Sequence, residues 1–374
     1  MKSLFFYGTL RHVPLLSIVL GRAPEDLLVS EATLDGHQVL AVVDHPFPTL
    51  VSGVGTAKGV LVRGLSDDDI ARLNYYEAGF EYALRDIQVD VDGQSAAAQV
   101  YFPAPYLWRA GDAWSLEHWV ELWGEMSCFA AQEVMEYFGH LDAQQVVRMF
   151  PMIRARAQAK VNGLHHNRAH SPSGLDASAV QVLGKQRPYV DFFAIDEYDL
   201  TFQRYDGGHS EMVRRAVFLA TDAVIVLPYD PVRDRVLLVE QFRPGPFARN
   251  DQKPWQLEPI AGRVDAGESP EHTARREAME EAGLELRDLH DVAHCYASPG
   301  CSTEYYDIYV GLADLPDGTA GVAGLASEAE DIQSYLFSFD DLMAMIDDMS
   351  AVNAPLVLAG LWLARHRDRL RANA

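Results

Sequence analysis

Residues 262–284 read GRVDAGESPEHTARREAMEEAGL, and this stretch organises the chain around it. Ser269 supplies an N-cap oxygen, Pro270 suits a first helical turn, and Gly283 is a helix stop, so the spacing predicts a helix over about 270–282. Glu277, Glu280 and Glu281 then stand at i, i+3 and i+4 and share one helix face. Like charges so placed cost helix stability unless a cation lies between them. Hard oxygen ligands on a rigid helix select Mg²⁺ or Mn²⁺. An isolated E-x-x-E-E would read better as a solvated acidic face; Gly262, Glu268 and Arg276 in register with it favour a metal site. The loop from Gly262 to Gly267 leads into the helix, which puts the Ala261 carbonyl near the carboxylates as a further ligand. Arg276 is read as the charge partner that orients Glu280.

Around this helix, strand-like runs cover 189–198, 213–219, 223–227, 236–241, 258–261, 292–296, 305–310 and 333–338, and a helical pair closes the chain. Strands, one acidic helix, more strands and then helices predict an α/β/α sandwich with a mixed sheet over 178–374.

The 262–284 pattern resembles the Nudix box. Ser298-Pro299-Gly300 beyond it resembles the ADP-ribose pyrophosphatase branch, as do PYVDFFAIDEYDL, EMVRRAVF, LPYDPVRDRVLLVEQFRPGPF and LASEAEDI followed by Asn353-Ala354-Pro355. The resemblance implies Mg²⁺-dependent hydrolysis of the diphosphate of ADP-ribose, or of a related nucleoside diphosphate sugar, to AMP and a sugar phosphate. It implies that the Ala261 carbonyl, Glu277, Glu281 and Glu330 hold two or three Mg²⁺ ions, with Mn²⁺ as an alternative. Glu328 is then the base that activates water. Arg243 and Arg215 contact diphosphate and adenosine, Phe192 stacks on the adenine, and Glu304 faces the same cleft. Where the family commonly has a glutamate after the paired arginines, this chain has Ala216. A homodimer in which the segment from Phe192 to Arg215 reaches the partner's site is also implied.

At the other end, Leu4-Phe5-Phe6-Tyr7 reads as a buried strand that breaks at Gly8-Thr9 into a turn with free backbone N–H groups. Further strands are expected over 31–42, 57–62, 82–91 and 97–102, with a short helix over 66–74 ahead of Glu77. Together they predict a small β-rich, barrel-like domain over 1–110. FFYGTLRH and the later Leu73-Asn74-Tyr75-Tyr76-Glu77 with Tyr82 are similar to the γ-glutamylcyclotransferase-like (AIG2-like) family. The resemblance implies that Tyr7, Gly8, Thr9 and Leu10 cradle a substrate. Glu77 then moves a proton while an amine attacks an acyl carbon to close a ring.

Between these regions, Leu116, Trp119, Val120, Trp123, Met126, Ala130, Val134 and Phe138 form the stripe of an amphipathic helix, and a second helical pattern runs over 142–160. These are expected to pack the two domains together as a connector over 111–177 that ends in a polar linker.

The whole chain sets outer bounds. Its 374 residues suit two domains. Thirty-one basic against 54 acidic residues, a net charge of −23, argue against a general nucleic-acid or anionic-membrane binder, so phosphate must be handled locally. Three cysteines without metal-ligand spacing fit a reducing compartment, and no apolar run approaches a membrane span, so a cytoplasmic location is expected. Two other functions fit the sequence: a nucleotide-sugar sensor that does not cut its ligand, and a protein whose main activity is γ-glutamyl cyclotransfer in the N-terminal domain.

Overall fold

The computed structural model describes residues 1–80, 82–104, 106–165, 172–324 and 331–374. The chain divides into two compact units, 1–168 and 169–374.

In the first unit β1 (Lys2–Phe6), β2 (Leu28–Val42), β3 (Pro48–Leu65), β4 (Ala83–Val91) and β5 (Gln94–Phe102) close into a five-stranded barrel in the order β3-β1-β5-β4-β2, with β2 pairing back to β3. β1 explains the apolar run at the N-terminus. Side chains alternate across a strand, and both faces of β1 are buried. Phe5 and Tyr7 point into the barrel with Leu34, Leu61 and Val100, while Leu4 and Phe6 pack outward on α1 (Val13–Leu20), α2 (Asp67–Tyr76) and the later helices. Close approach to β1 also requires a glycine in β3, because a Cβ on Gly59 would lie 2.4 Å from the Phe5 ring.

The helices expected to join the domains pack on this first unit. A short turn α3 (Leu116–Trp119), one π-helical turn and α4 (Glu125–Glu136) lay Trp119 and Ala131 into the core that covers the barrel. α5 (Ala143–His165) is clamped to α4 by the buried Arg156–Glu133 pair at 2.5 Å, with Tyr137 donating to the same carboxylate. α5 also runs past the expected end at 160, because His165 bonds Glu125 at 2.6 Å and Gln158 bonds Asn162. The apolar stripe thus belongs to the first unit's own core.

The second unit begins with a three-stranded antiparallel sheet, β7 (Val180–Val190), β8 (Ala194–Phe202) and β9 (Val213–Leu219), after β6 (Ala110–Ala113) at the edge of the first unit. Its main sheet is mixed. β10 (Asp222–Asp230) runs parallel to β15 (Tyr305–Leu312) and antiparallel to β11 (Arg235–Phe242), and the order is β14-β15-β10-β11-β17-β16, with β12 (Trp255–Glu258) on β11 and β13 (Ile260–Arg263) on β10. β14 spans Leu289–Tyr296, β16 Val322–Ala323 and β17 Ile332–Ser338. Alternation along β10 feeds two cores. Val224 and Val226 face α7 (Pro270–Ala282), while Ile225 and Leu227 face α8 (Phe339–Asp347) and α9 (Ala354–Ala372). The sheet is thereby sandwiched between helices, as expected. Among the described residues no helix is long and apolar enough to cross a membrane.

Candidate functional site

α7 starts and stops where its end residues dictate: Ser269 Oγ accepts from the His272 N–H at 3.2 Å, and Gly283 takes the left-handed conformation at φ 61°. Four residues later than Arg276, Glu280 folds back onto it at 2.9 Å. The Arg276 guanidinium also meets Glu277 at 2.8 Å and Glu268 at 3.1 Å, and donates to the Arg263 carbonyl. Burial works against its charge, but the hydrogen bond it donates to Glu268 and the neighbouring Glu277 charge outweigh that and raise its pKa. Glu268 is held below the usual carboxylate range: desolvation opposes this, and the bonds from Arg276 and Thr273 overcome it. The expected repulsion within the acidic face is therefore met inside the chain, by a guanidinium placed among the carboxylates.

The other two glutamates turn toward β13. Glu277 lies directly under Gly262, where a Cβ would stand 1.9 Å from Glu277 Oε1. Glu281 is 2% exposed and has its Oε2 3.4 Å from the Ala261 N–H. The structure thus gathers Ala261, Glu277 and Glu281 about one segment of backbone. Their donor set, carboxylate oxygens beside a backbone carbonyl, fits a hard divalent cation. Among the described residues no three His, Cys, Asp or Glu side chains are grouped closely enough to hold a metal. Glu328 and Glu330 lie outside the described residues.

A second group assembles at the end of β11. Arg243 pairs with Glu258 at 2.6 Å, and Asn353 donates to the other Glu258 oxygen at 3.1 Å. Burial pushes the Glu258 carboxyl up against the pull of Arg243. Glu304 accepts from the Tyr306 hydroxyl at 3.1 Å; burial raises its pKa, while Tyr306 and the Arg243 charge act the other way. Arg243 and Glu304 are thus electrostatic neighbours. Glu258, 5% exposed, escaped the sequence reading although one signal was present, an acid within the otherwise apolar run Leu257 to Ala261.

Arg215 sits on β9 of the three-stranded sheet and Phe192 in the turn between β7 and β8. The Arg263 guanidinium lies 5.7 Å over the Phe192 ring, which brings Phe192 to the edge of the box segment. Arg215 pairs across from Tyr198 and donates to the Arg214 carbonyl. This sheet, with its β7–β8 turn, exposes Val182, Leu183, Tyr189, Phe192 and Phe193, each at least 41% accessible.

In the first unit, Tyr7, Gly8, Thr9, Leu10 and Glu77 come together around one cavity of about 80 Å³ that Tyr82 and Tyr101 also line. The Gly8-Thr9 segment is a single 3-10 turn in which the Gly8 and Thr9 carbonyls accept from Arg11 and His12. Glu77 caps the C-terminus of α2 and is half-buried. Desolvation pushes its carboxyl up to about 8. Tyr76, Tyr82 and Tyr101 are raised in turn, first by their own burial and then by the Glu77 charge. Tyr101, whose hydroxyl donates to Asn74 at 2.7 Å, was missed because it sits on a strand 24 positions beyond Glu77 with no local pattern to mark it.

Fold and site together describe a Nudix hydrolase, and comparison with known proteins agrees: residues 219–359 match the NUDIX domain family, and the chain belongs to it. The ADP-ribose pyrophosphatase of Escherichia coli (strain K12) is 38% identical over 192 residues, 51% of this chain and 91% of that protein. That of Haemophilus influenzae is 33% identical over 194 residues, 51% and 89% of the two chains. A GDP-mannose pyrophosphatase of Pectobacterium atrosepticum is 27% identical over 172 residues, 46% and 87%. Residues 4–121 match the family described as Gamma-glutamyl cyclotransferase, AIG2-like.

Proposed function

We propose that the second unit hydrolyses the diphosphate of ADP-ribose, or of a closely related nucleoside diphosphate sugar, to AMP and a sugar phosphate in a Mg²⁺-dependent reaction. The observation that carries this is the Ala261–Gly262 backbone laid across Glu277 and Glu281, with Arg276 holding the rest of the acidic face. Ala261, Glu277 and Glu281, joined by Glu330, would hold two or three Mg²⁺ ions, with Mn²⁺ as an alternative. When bound, such ions neutralise phosphate oxygens and make water more acidic. Arg243 and Arg215 orient the diphosphate and adenosine, Phe192 stacks on the base, and Glu304 borders the sugar side. Glu328 takes a proton from the attacking water. The water oxygen forms the new P–O bond as the bridging P–O bond breaks, and the bridging oxygen leaves on the second phosphate. The exposed apolar side chains of β7 and the β7–β8 turn support a homodimer, since exposed apolar surface marks interaction sites. A panel of nucleoside diphosphate sugars incubated with the protein and Mg²⁺, with products identified by mass, tests this reading; release of AMP from none of them would overturn it.

A second activity is favoured by the assembly of Glu77 with the Tyr7–Leu10 turn in one cavity. In this reading the first unit cyclises γ-glutamyl amides. The α-nitrogen attacks the γ-carbonyl carbon, the C–N bond to the departing amine breaks, and the two protons given up by the α-ammonium pass to the departing nitrogen with Glu77 as relay. The products are 5-oxoproline and a free amine. Release of 5-oxoproline by the full chain, and its loss in Glu77→Gln, is the test.

A further inference from the structure

The Glu77 cavity does not end at Glu77. A second chamber of about 240 Å³ adjoins it, and the two share Thr9, Phe47, Tyr76, Phe80 and Phe150 in their walls. The second chamber is apolar in character. Trp119 and Met126 line one side, and Val146, Val147 and Phe150 of α5 line another. Phe47 and Phe80 meet edge to face at 5.0 Å, and Phe80 stacks on Tyr82 at 5.4 Å, so an aromatic partition runs from the chamber to the ring of tyrosines around Glu77.

The origin of these walls is informative. The stretch that matches the AIG2-like family ends at 121, whereas Met126, Val134 and everything contributed by α5 lie beyond it. The α4–α5 pair, which the buried Arg156–Glu133 bridge holds in place, therefore closes the chamber against Phe47, Tyr76, Phe80 and Trp119 of the matched stretch.

Size separates the roles of the two spaces. An apolar cavity of roughly 150 Å³ suffices for benzene, so the larger chamber admits a phenyl or branched alkyl group. The smaller one carries Glu77 and the Gly8-Thr9 turn, so the reacting end of a substrate that spans both spaces belongs there. From this we propose that the first unit selects γ-glutamyl amides whose amine half is large and apolar, with the γ-glutamyl head at Glu77 and the amine substituent in the chamber walled by α5. This rests on the cyclotransfer reading above and adds the identity of the leaving group. The bond to be broken then lies at the junction where Thr9, Tyr76 and Phe150 border both spaces.

The experiment compares γ-glutamylphenylalanine, γ-glutamylleucine and γ-glutamylglycine as substrates of the full chain, with 5-oxoproline as readout, alongside a Val147→Phe variant that narrows the chamber. The expected result is a kcat/KM ratio favouring the phenylalanine over the glycine compound by at least about tenfold, and collapse of that ratio toward one in Val147→Phe. Equal rates in the unaltered chain would overturn the proposal while leaving cyclotransfer intact. Release from no substrate would instead remove the cyclotransfer reading. Calorimetric binding of the same three compounds then decides the chamber assignment: about tenfold tighter binding of the phenylalanine compound supports it, and equal affinity overturns it.

Discussion

Gly262 and Glu277 are packed so closely that a single added carbon at Gly262 would overlap Glu277 Oε1, at 1.9 Å. The overlap extends back along the Glu277 side chain to its Cγ at 2.3 Å, so relieving it means moving that carboxylate. It explains in steric terms why a glycine opens the 262–284 stretch.

Gly262→Ala should therefore push Glu277 out of place. We expect the Mg²⁺ concentration needed for half-maximal diphosphate hydrolysis to rise roughly 10–100-fold, the range seen when groups that orient metal ligands are disturbed. A stability loss of about 1–3 kcal/mol from overpacking should accompany it. A Mg²⁺ titration of activity with a parallel denaturant melt checks both; an unchanged titration would mean that Glu277 is not a ligand.

Arg276 holds three glutamates at once, at 2.8, 2.9 and 3.1 Å. Arg276→Lys keeps the charge but loses the planar fork, and should lower hydrolysis with Glu268 and Glu280 no longer tied to the same group. Arg276→Ala should cost more, on the order of 2 kcal/mol of stability. If lysine restored full activity, the charge alone would be what the site requires.

Glu328→Gln should leave nucleotide-sugar binding intact and reduce turnover by about 10²–10⁴-fold, the usual worth of a general base. Glu281→Gln should act differently, raising the Mg²⁺ requirement. Single-turnover rates measured beside equilibrium binding distinguish the two, and wild-type turnover in Glu328→Gln would move the base elsewhere.

The Glu77 carboxyl, pushed up to about 8 by desolvation, gives a pH prediction. Its folded pKa lies above the unfolded value, so the folded state holds the extra proton between about 4.5 and 8, and stability from this group falls as pH rises through that window. Glu77→Gln should raise the melting temperature relative to wild type at pH 8 and change it little at pH 4. In the unaltered chain, 5-oxoproline release should increase with pH up to about 8 as the carboxylate becomes available.

Charge placed on β7, which bears Tyr189 at 56% exposed and leads to Phe192 at 52%, should abolish the proposed pairing with a second copy. Leu183→Asp combined with Tyr189→Asp is expected to convert a dimer into a monomer in light scattering, with hydrolysis reduced if the partner contributes to the site. A monomeric unaltered protein would remove the dimer from the proposal.

Much of this was legible residue by residue. Ser269, Pro270 and Gly283 set the limits of α7 because capping is a local hydrogen-bond requirement, and the unbroken apolar run Leu4 to Tyr7 announced a buried strand. The stripe from Leu116 to Phe138 was equally plain as a helix, yet its partner was not, since an apolar face specifies burial without naming the surface that provides it.

Local spacing and end residues by themselves determined the acidic helix, the turn at Gly8-Thr9 and the presence of Glu77 near a helix end, because each depends on contacts within a few positions. Tertiary structure alone decided that Glu268 joins Glu277 and Glu280 on the Arg276 guanidinium, that Glu258 claims Arg243, and that α5 walls an apolar chamber beside Glu77. Those relations are not given by helical spacing, and only the packed fold fixes the distances through which charge, burial and volume act.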